Sequence, residues 1–400
     1  MKIVSFTIVW YLIFFLIAIS GLTGLQTPSQ IAITSIGLIL SSYLIGCITS
    51  FLLPRTKKNV YETKNYNKKR KNNFEYIIKI FLFYFISHSL FIIINVFLIN
   101  KIDINNYRES FFDGSRKNLI FFGGWWLFYL YYLSTLFLLA LVPFFVATKK
   151  INIQILLFIS VILYDIVFLS RTGIYYFLLA TICAVIIREL KLKLIFLLVV
   201  VIIMLSLTIS YFRGDISNIF ILIKNAIINY HVAPYILFDK NIISENTIRY
   251  NGLGLASLGI YNIFLYIFDN NVMENINNLR ANLNVFYDLS SNDNYIPYNA
   301  YYTSLGLIYI DFGLIGCIII SYFSGLFISY LAIKSKNSEK YKISCVFISS
   351  LYLESLFSPI TINIFSFVIV VFILLLMIHN YEYSNCSPVF KKNCSSKYSN

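Results

Sequence analysis

Charge is what this 400-residue chain has least of: 12% of its residues are charged and 58% are hydrophobic. A soluble domain carries about twice that share of charge, so a water-exposed globule is excluded. Histidine occurs three times, at positions 88, 231 and 379, too scattered for a cluster of metal-binding imidazoles. Six cysteines occur, at 47, 183, 317, 345, 386 and 394, and none falls in a segment expected outside, so no disulfide framework is implied. The Cys386 and Cys394 spacing fits no common zinc pattern, and no cofactor or metal is expected. Phosphate-cradling G-x-x-x-x-G-K, dinucleotide-binding G-x-G-x-x-G, H-E-x-x-H and G-x-S-x-G motifs are all missing.

Long apolar runs are what the chain does have. Ten are long enough for helices that cross a hydrocarbon core: 3–20, 31–53, 76–99, 121–147, 152–169, 174–188, 194–210, 304–333, 343–360 and 361–379. The expected fold class is therefore all-α, a polytopic helical membrane protein with about 10 helices. Between the seventh and eighth runs lies a polar stretch, 211–298, rich in Asn, Tyr and Asp. It contains two moderately apolar segments, Ile216–Phe238 and Gly252–Phe268, read as amphipathic or re-entrant helices. If both cross, the count becomes 12 and the orientation elsewhere is unchanged. The chain thus divides into a seven-helix N-terminal bundle (1–210), a large outer loop (211–298), C-terminal helices (299–379) and a tail (380–400), all in one integral domain.

Orientation follows from the basic residues. Eight Lys and Arg crowd the 54–75 segment, and cationic loops stay on the cytoplasmic side. Alternation from that loop puts 21 cations inside and 10 outside, with both termini cytoplasmic. The formal charge of +14 is then a topology signal, and nucleic acid is not an expected partner. Inside, 18 of the 21 cations are Lys; outside, six of the ten are Arg: 108, 116, 171, 213, 249 and 280. A planar guanidinium fork suits phosphate oxygens better than an ammonium does.

Four outer features can carry chemistry. Ser170-Arg171-Thr172-Gly173 is a tight turn, with Asp165 a turn and a half earlier; Arg171 either snorkels to headgroups or serves a site. Tyr211-Phe212-Arg213-Gly214-Asp215 marks where the seventh run emerges, and Gly214 allows a sharp turn beside Arg213. Arg249 precedes Tyr250-Asn251-Gly252-Leu253-Gly254, a glycine-rich lead-in whose backbone N–H groups suit an anion. Asn299-Ala300-Tyr301-Tyr302-Thr303 precedes Tyr309-Ile310-Asp311-Phe312-Gly313-Leu314-Ile315-Gly316. Here Asp311 lies about two turns inside an apolar run, where a carboxylate is costly and is either functional or held by a partner. The spacing of Gly313 and Gly316 lets a second helix approach closely. Of the histidines, His231 alone lies in the outer segment.

These features together resemble the Wzy-type O-antigen polymerases, which join oligosaccharide repeat units. The resemblance is carried by Asn299–Thr303 with Tyr309–Gly316, by Ser170–Gly173, by the Tyr211–Gly214 turn and by the layout of spans around one large outer loop. It implies a GT-C-like, metal-independent glycosyltransferase in the bacterial inner membrane. Its substrate would be undecaprenyl-diphosphate-linked oligosaccharide, and its surroundings would be membrane lipids and a chain-length regulator protein. On that reading Arg213 and Asp311 are the catalytic candidates, and Arg171, Arg249, Arg280, Asn299, Tyr302 and His231 bind substrate. The paired R-x10-G pattern of some members does not occur here. The alternatives are an O-antigen ligase, for which His231 would be the candidate, and a flippase or transporter of lipid-linked oligosaccharide. The catalytic base is not identifiable from the sequence.

Overall fold

A computed structural model describes residues 2–52, 68–103, 106–107, 125–148, 151–170, 172–189, 224–240, 287–291, 297–298, 304–336, 338–355 and 370–378. They are mostly helical: α1 (Lys2–Ser20), α2 (Gln30–Leu52), α3 (Lys68–Ile93), α4 (Trp125–Thr148), α5 (Ile151–Val167), α6 (Thr172–Arg188), α7 (Tyr230–Leu237), α8 (Ser304–Lys334) and α9 (Glu339–Glu354). A π-turn, Ile94–Ile99, continues α3, and another, Lys224–Asn229, leads into α7. A two-residue antiparallel ladder, Tyr287–Asp288 with Pro297–Tyr298, is the one sheet among the described residues.

Five of these helical stretches are long and apolar enough to cross a membrane: Lys2–Ser20, Gln30–Leu52, Glu75–Ile99, Leu130–Thr148 and Gly306–Lys334. The apolar helices α5 and α6 are shorter, at 17 residues each. The run 194–210 lies outside the described residues, and of 361–379 only 370–378 falls within them.

Polarity in this bundle is turned inside out. Helix α8 leaves Ile315, Ile319, Phe323 and Phe327 exposed on one face, while Ser321 and Ser329 are buried on the other. Helix α2 likewise exposes Leu38, Ile45 and Ile48 and buries Ser35, Ser42 and Ser50. Water would not tolerate such apolar faces without a partner; hydrocarbon requires them.

The buried faces explain why α2 and α8 meet. Ser42-x3-Gly46-x3-Ser50 on one helix crosses Ser321-x3-Gly325-x3-Ser329 on the other. A Cβ built on Gly46 would lie 2.0 Å from the Tyr322 carbonyl oxygen, and one on Gly325 would lie 2.2 Å from that of Tyr43. At this approach Ser42 Oγ donates to the Ile318 carbonyl at 2.7 Å, and Cys47 Sγ points to that of Gly325 at 3.5 Å. Small residues take the place of hydrophobic burial as the means of association in lipid.

Gly313 and Gly316 do not play that part. Nothing lies within 4 Å of a Cβ on Gly313, and a Cβ on Gly316 would meet only Phe312 of its own helix. Gly313 instead has φ +63° and ψ −166°, a conformation glycine tolerates, and breaks α8 just after Asp311. The close approach expected there occurs three turns further on, at Gly325.

Ion pairs tie one end of the bundle together. Lys2 Nζ donates to Glu189 Oε1 at 2.6 Å, Arg188 Nη2 to Glu339 Oε2 at 2.5 Å, and Lys342 Nζ to Glu339 Oε1 at 2.8 Å. Half-burial alone would raise the Glu339 carboxyl; the Lys342 hydrogen bond and the Arg188 charge outweigh it and hold it below its usual range. At the other end of α1, Gly24 and Gln26 hydrogen-bond to the Leu289–Ser291 segment.

Candidate functional site

Two carboxylates organise the end of the bundle opposite those ion pairs, each covering the N–H groups that a helix start leaves unsatisfied. Asp165, near the end of α5, is fully buried. Its Oδ1 accepts from Ser170 Oγ at 2.5 Å and from Gly173 N–H at 3.0 Å, and its Oδ2 accepts from Ile174 N–H at 2.7 Å. Helix α6 has no acidic residue of its own in its first turn, so Asp165 supplies the anion that the helix dipole favours. Gly173 is required by the same geometry: a Cβ there would sit 2.8 Å from the Tyr164 ring. The Ser170–Gly173 turn is thus built around Asp165, with Arg171 between them in sequence but outside the described residues.

Asp239 does the equivalent for α2. Its two oxygens accept from Ser29 N–H and Ser29 Oγ, both at 2.6 Å, while Ser29 Oγ in turn receives Ala32 N–H at 3.3 Å. A serine N-cap is thereby fastened to the segment that follows α7.

Replacing Asp165 by alanine should lower stability by about 3 kcal/mol, because a half-buried hydroxyl and two buried amide donors lose their acceptor together. Thermal unfolding of the detergent-purified protein measures this. A midpoint matching the wild type would mean that the cap contributes nothing.

Between these caps, His231 lies in α7, which is buried along its length from His231 to Leu237. An amphipathic helix resting at an interface would keep one face open; 231–239 has none. This part of Ile216–Phe238 is therefore an interior element, packed on Tyr11, Phe14, Phe15 and Leu25. The His231 ring stacks on Phe14 at 4.4 Å and 18°, meets Trp10 edge-on at 5.5 Å, and shares a hydrogen bond between its Nε2 and the Tyr175 hydroxyl of α6. Trp10 Nε1 is enclosed without a hydrogen-bond partner.

A third polar group completes the interior. Glu354, the last residue of α9, is 3% exposed, and its Oε2 has no hydrogen-bond partner. It lies within electrostatic reach of Asp165 and of the Tyr164, Tyr175 and Tyr176 phenols. The next residue, Ser355, pairs with Tyr11 Oη at 2.9 Å, and that hydroxyl also donates to the Tyr352 carbonyl at 2.6 Å. Tyr235 of α7 donates to the Tyr11 carbonyl at 3.0 Å. Helices α1, α6, α7 and α9 are thus joined by polar side chains inside an otherwise apolar bundle.

Of the catalytic and substrate-binding candidates named from the sequence, Asp311 and His231 fall within the described structure. Asp311 is 8% exposed, one residue before Phe312 and the break at Gly313. Arg171, Arg213, Arg249, Arg280, Asn299 and Tyr302 lie outside the described residues. Glu354, Tyr175 and Trp10 are not among the candidates that the sequence suggests. For Glu354 a signal is present: an acidic residue inside the apolar run 343–360, the same rule that selects Asp311. Among the described residues no three His, Cys, Asp or Glu side chains gather as a metal-binding group.

No protein-family model, no curated protein and no solved structure matches this chain.

Proposed function

We propose that the protein is a membrane glycosyltransferase that polymerises oligosaccharide repeat units carried on undecaprenyl diphosphate. In this reading it spans the inner membrane with ten or twelve helices in a GT-C-like arrangement, with both termini cytoplasmic and 211–298 outside. It works without metal, beside a chain-length regulator. The observation that carries the reading is the interior cluster of Glu354 and the His231–Tyr175 pair, groups able to handle a proton, enclosed where α7 joins the bundle. Glycosyl transfer from a lipid diphosphate asks for two things. The leaving diphosphate needs cations, for which Arg171, Arg213, Arg249 and Arg280 are suited. The acceptor hydroxyl needs a proton acceptor in a dry setting.

His231 gives a second reading some support. An O-antigen ligase uses the same lipid-linked donor and typically employs a histidine of the large outer loop, and here that histidine is held by Tyr175.

Deleting the gene and resolving the surface glycan on a gel separates these activities. A polymerase deletion should lose the long ladder and keep single-repeat material. Loss of every repeat from lipid A core, with polymer accumulating on the carrier, would instead indicate a ligase. The same loss without carrier-linked polymer would indicate a flippase. An unchanged ladder would end the glycan reading.

A further inference from the structure

The ion-paired end of the bundle holds more cations than the carboxylates described there can answer. Glu339 has both oxygens engaged, Oε2 by Arg188 and Oε1 by Lys342, and Glu189 holds Lys2. Lys334, the last residue of α8, and Lys336, in the connection to α9, belong to none of these pairs. Lys336 lies within electrostatic reach of Glu189, whose carboxylate is already held by Lys2.

Two tyrosine rings fix where this surplus stands. Lys334 Nζ lies 5.6 Å from the centre of the Tyr330 ring and Lys340 Nζ lies 5.5 Å from that of Tyr341. The two rings meet edge-on at 6.3 Å, so the end of α8 and the start of α9 are joined side by side. Tyrosine with lysine is the pairing that suits a membrane–water boundary. From that boundary inward, α8 exposes Tyr330, Phe327, Phe323 and Ile319 on one face. Phe323 precedes Lys334 by eleven residues, about 16 Å of helix, and one leaflet of hydrocarbon is about 15 Å deep. The stripe therefore has the depth of an acyl chain, and Lys334 the depth of a phosphate.

An apolar stripe alone would suit any lipid or another helix, and the lysines decide between them. A second copy of this chain, inserted in the same orientation and related by a two-fold axis, would set its own Lys334 and Lys336 against these. A zwitterionic headgroup has no net charge to offer them. An anionic phosphate does.

We propose that this face of α8 is a binding site for an anionic phospholipid, with an acyl chain along Ile319, Phe323 and Phe327 and the phosphate met by Lys334 and Lys336. The site lies at the end of the bundle away from Asp165 and is independent of the polymerase reading.

The test uses the full-length protein, purified in detergent and stripped of native lipid. Native mass spectrometry reads the apparent affinity for added dioleoyl phosphatidylglycerol and, separately, dioleoyl phosphatidylcholine. Each lysine near an anionic headgroup contributes about fivefold, so Lys334→Gln combined with Lys336→Gln should weaken phosphatidylglycerol binding about 30-fold. Phosphatidylcholine binding should stay within about twofold of the wild type, since it makes no use of net charge. Lys57→Gln with Lys58→Gln, in the 54–75 segment, removes as much charge elsewhere in the chain and should leave the phosphatidylglycerol affinity within about threefold. An equal loss from this second pair would mean general attraction of anions to a basic protein and would overturn the site. Glycerol phosphate, a headgroup without chains, should not displace the lipid at matched concentration; displacement would show a phosphate site in which the stripe has no part. If the Lys334 and Lys336 double variant does not accumulate, each single glutamine variant is read in its place, with a loss of about fivefold expected. Wild-type phosphatidylglycerol affinity in the double variant, or in both single variants, overturns the proposal.

Discussion

Gly46→Ala should cripple the protein, and Gly37→Ala, less than three turns away on the same helix, should not. At Gly46 the new methyl would stand 2.0 Å from the Tyr322 carbonyl oxygen, 2.9 Å from its carbon and 3.1 Å from the Leu326 nitrogen. These are backbone atoms of α8, so no rotamer change relieves the overlap, and the helices must separate to make room. Separation also removes the Ser42 bond to the Ile318 carbonyl. Overpacking of a tight interior typically costs about 1–3 kcal/mol, and a backbone collision belongs at or above the top of that range. Gly325→Ala should match it, since its methyl would meet the Tyr43 carbonyl at 2.2 Å. Gly37 has nothing within 4 Å, and replacing it gains the roughly 0.5–1 kcal/mol by which alanine exceeds glycine in a helix. Membrane yield and the thermal midpoint in detergent read the outcome. Equal midpoints for Gly46→Ala and Gly37→Ala would show that α2 and α8 do not cross where described.

That contact illustrates what the sequence can and cannot disclose. The helices themselves are legible, because an apolar run of bilayer length has few alternatives: 3–20 and 31–53 correspond to Lys2–Ser20 and Gln30–Leu52 within one residue. Partner choice is not legible. Two serine–glycine–serine stripes separated by about 270 residues are visible only once one knows that α2 and α8 face each other. Gly313 shows a related ambiguity. In a string of letters, a glycine that permits a neighbour and one that permits a positive φ look the same, and only the backbone distinguishes them. Burial of α7 is hidden because its immediate sequence, Tyr-His-Val-Ala-Pro-Tyr-Ile-Leu, carries the polar groups an interfacial helix would. Those groups are satisfied inside, by Tyr175 and by the Tyr11 carbonyl.

The candidate site divides along the same line. In the sequence Asp165 stands out for its place before Ser170-Arg171-Thr172-Gly173, and in the fold it acts as scaffold, with its oxygens holding the residues on both sides of position 171. The rule that draws attention to an acidic residue in an apolar run is sound, yet it ranks Asp165, Asp311 and Glu354 alike. What separates Asp165 from Glu354 is which oxygens have a donor, and the N–H donors of Asp165 come from the next helix.

The arginines should give the largest loss of activity for the smallest loss of stability. Arg171 is flanked by Ser170 and Thr172, and the turn they belong to is fixed by Asp165. Arg213 follows the seventh apolar run. If these side chains neutralise the diphosphate as it leaves, their contribution is made where charge develops, and removing such a donor usually lowers the rate by about 100- to 1,000-fold. Arg213→Ala combined with Arg171→Ala should therefore reduce the glycan to single repeats at normal protein level. Arg→Lys at either position keeps the charge and loses the two-pronged fork, so ladders should shorten without vanishing. Stability distinguishes this from a scaffold defect: Asp165→Ala should lower the unfolding midpoint, whereas Arg171→Ala should leave it within about a degree or two if its side chain serves the leaving diphosphate and not the fold. Long ladders from the double alanine variant would remove the arginines from the mechanism, and the cation for the leaving diphosphate would have to be sought at Arg249 and Arg280.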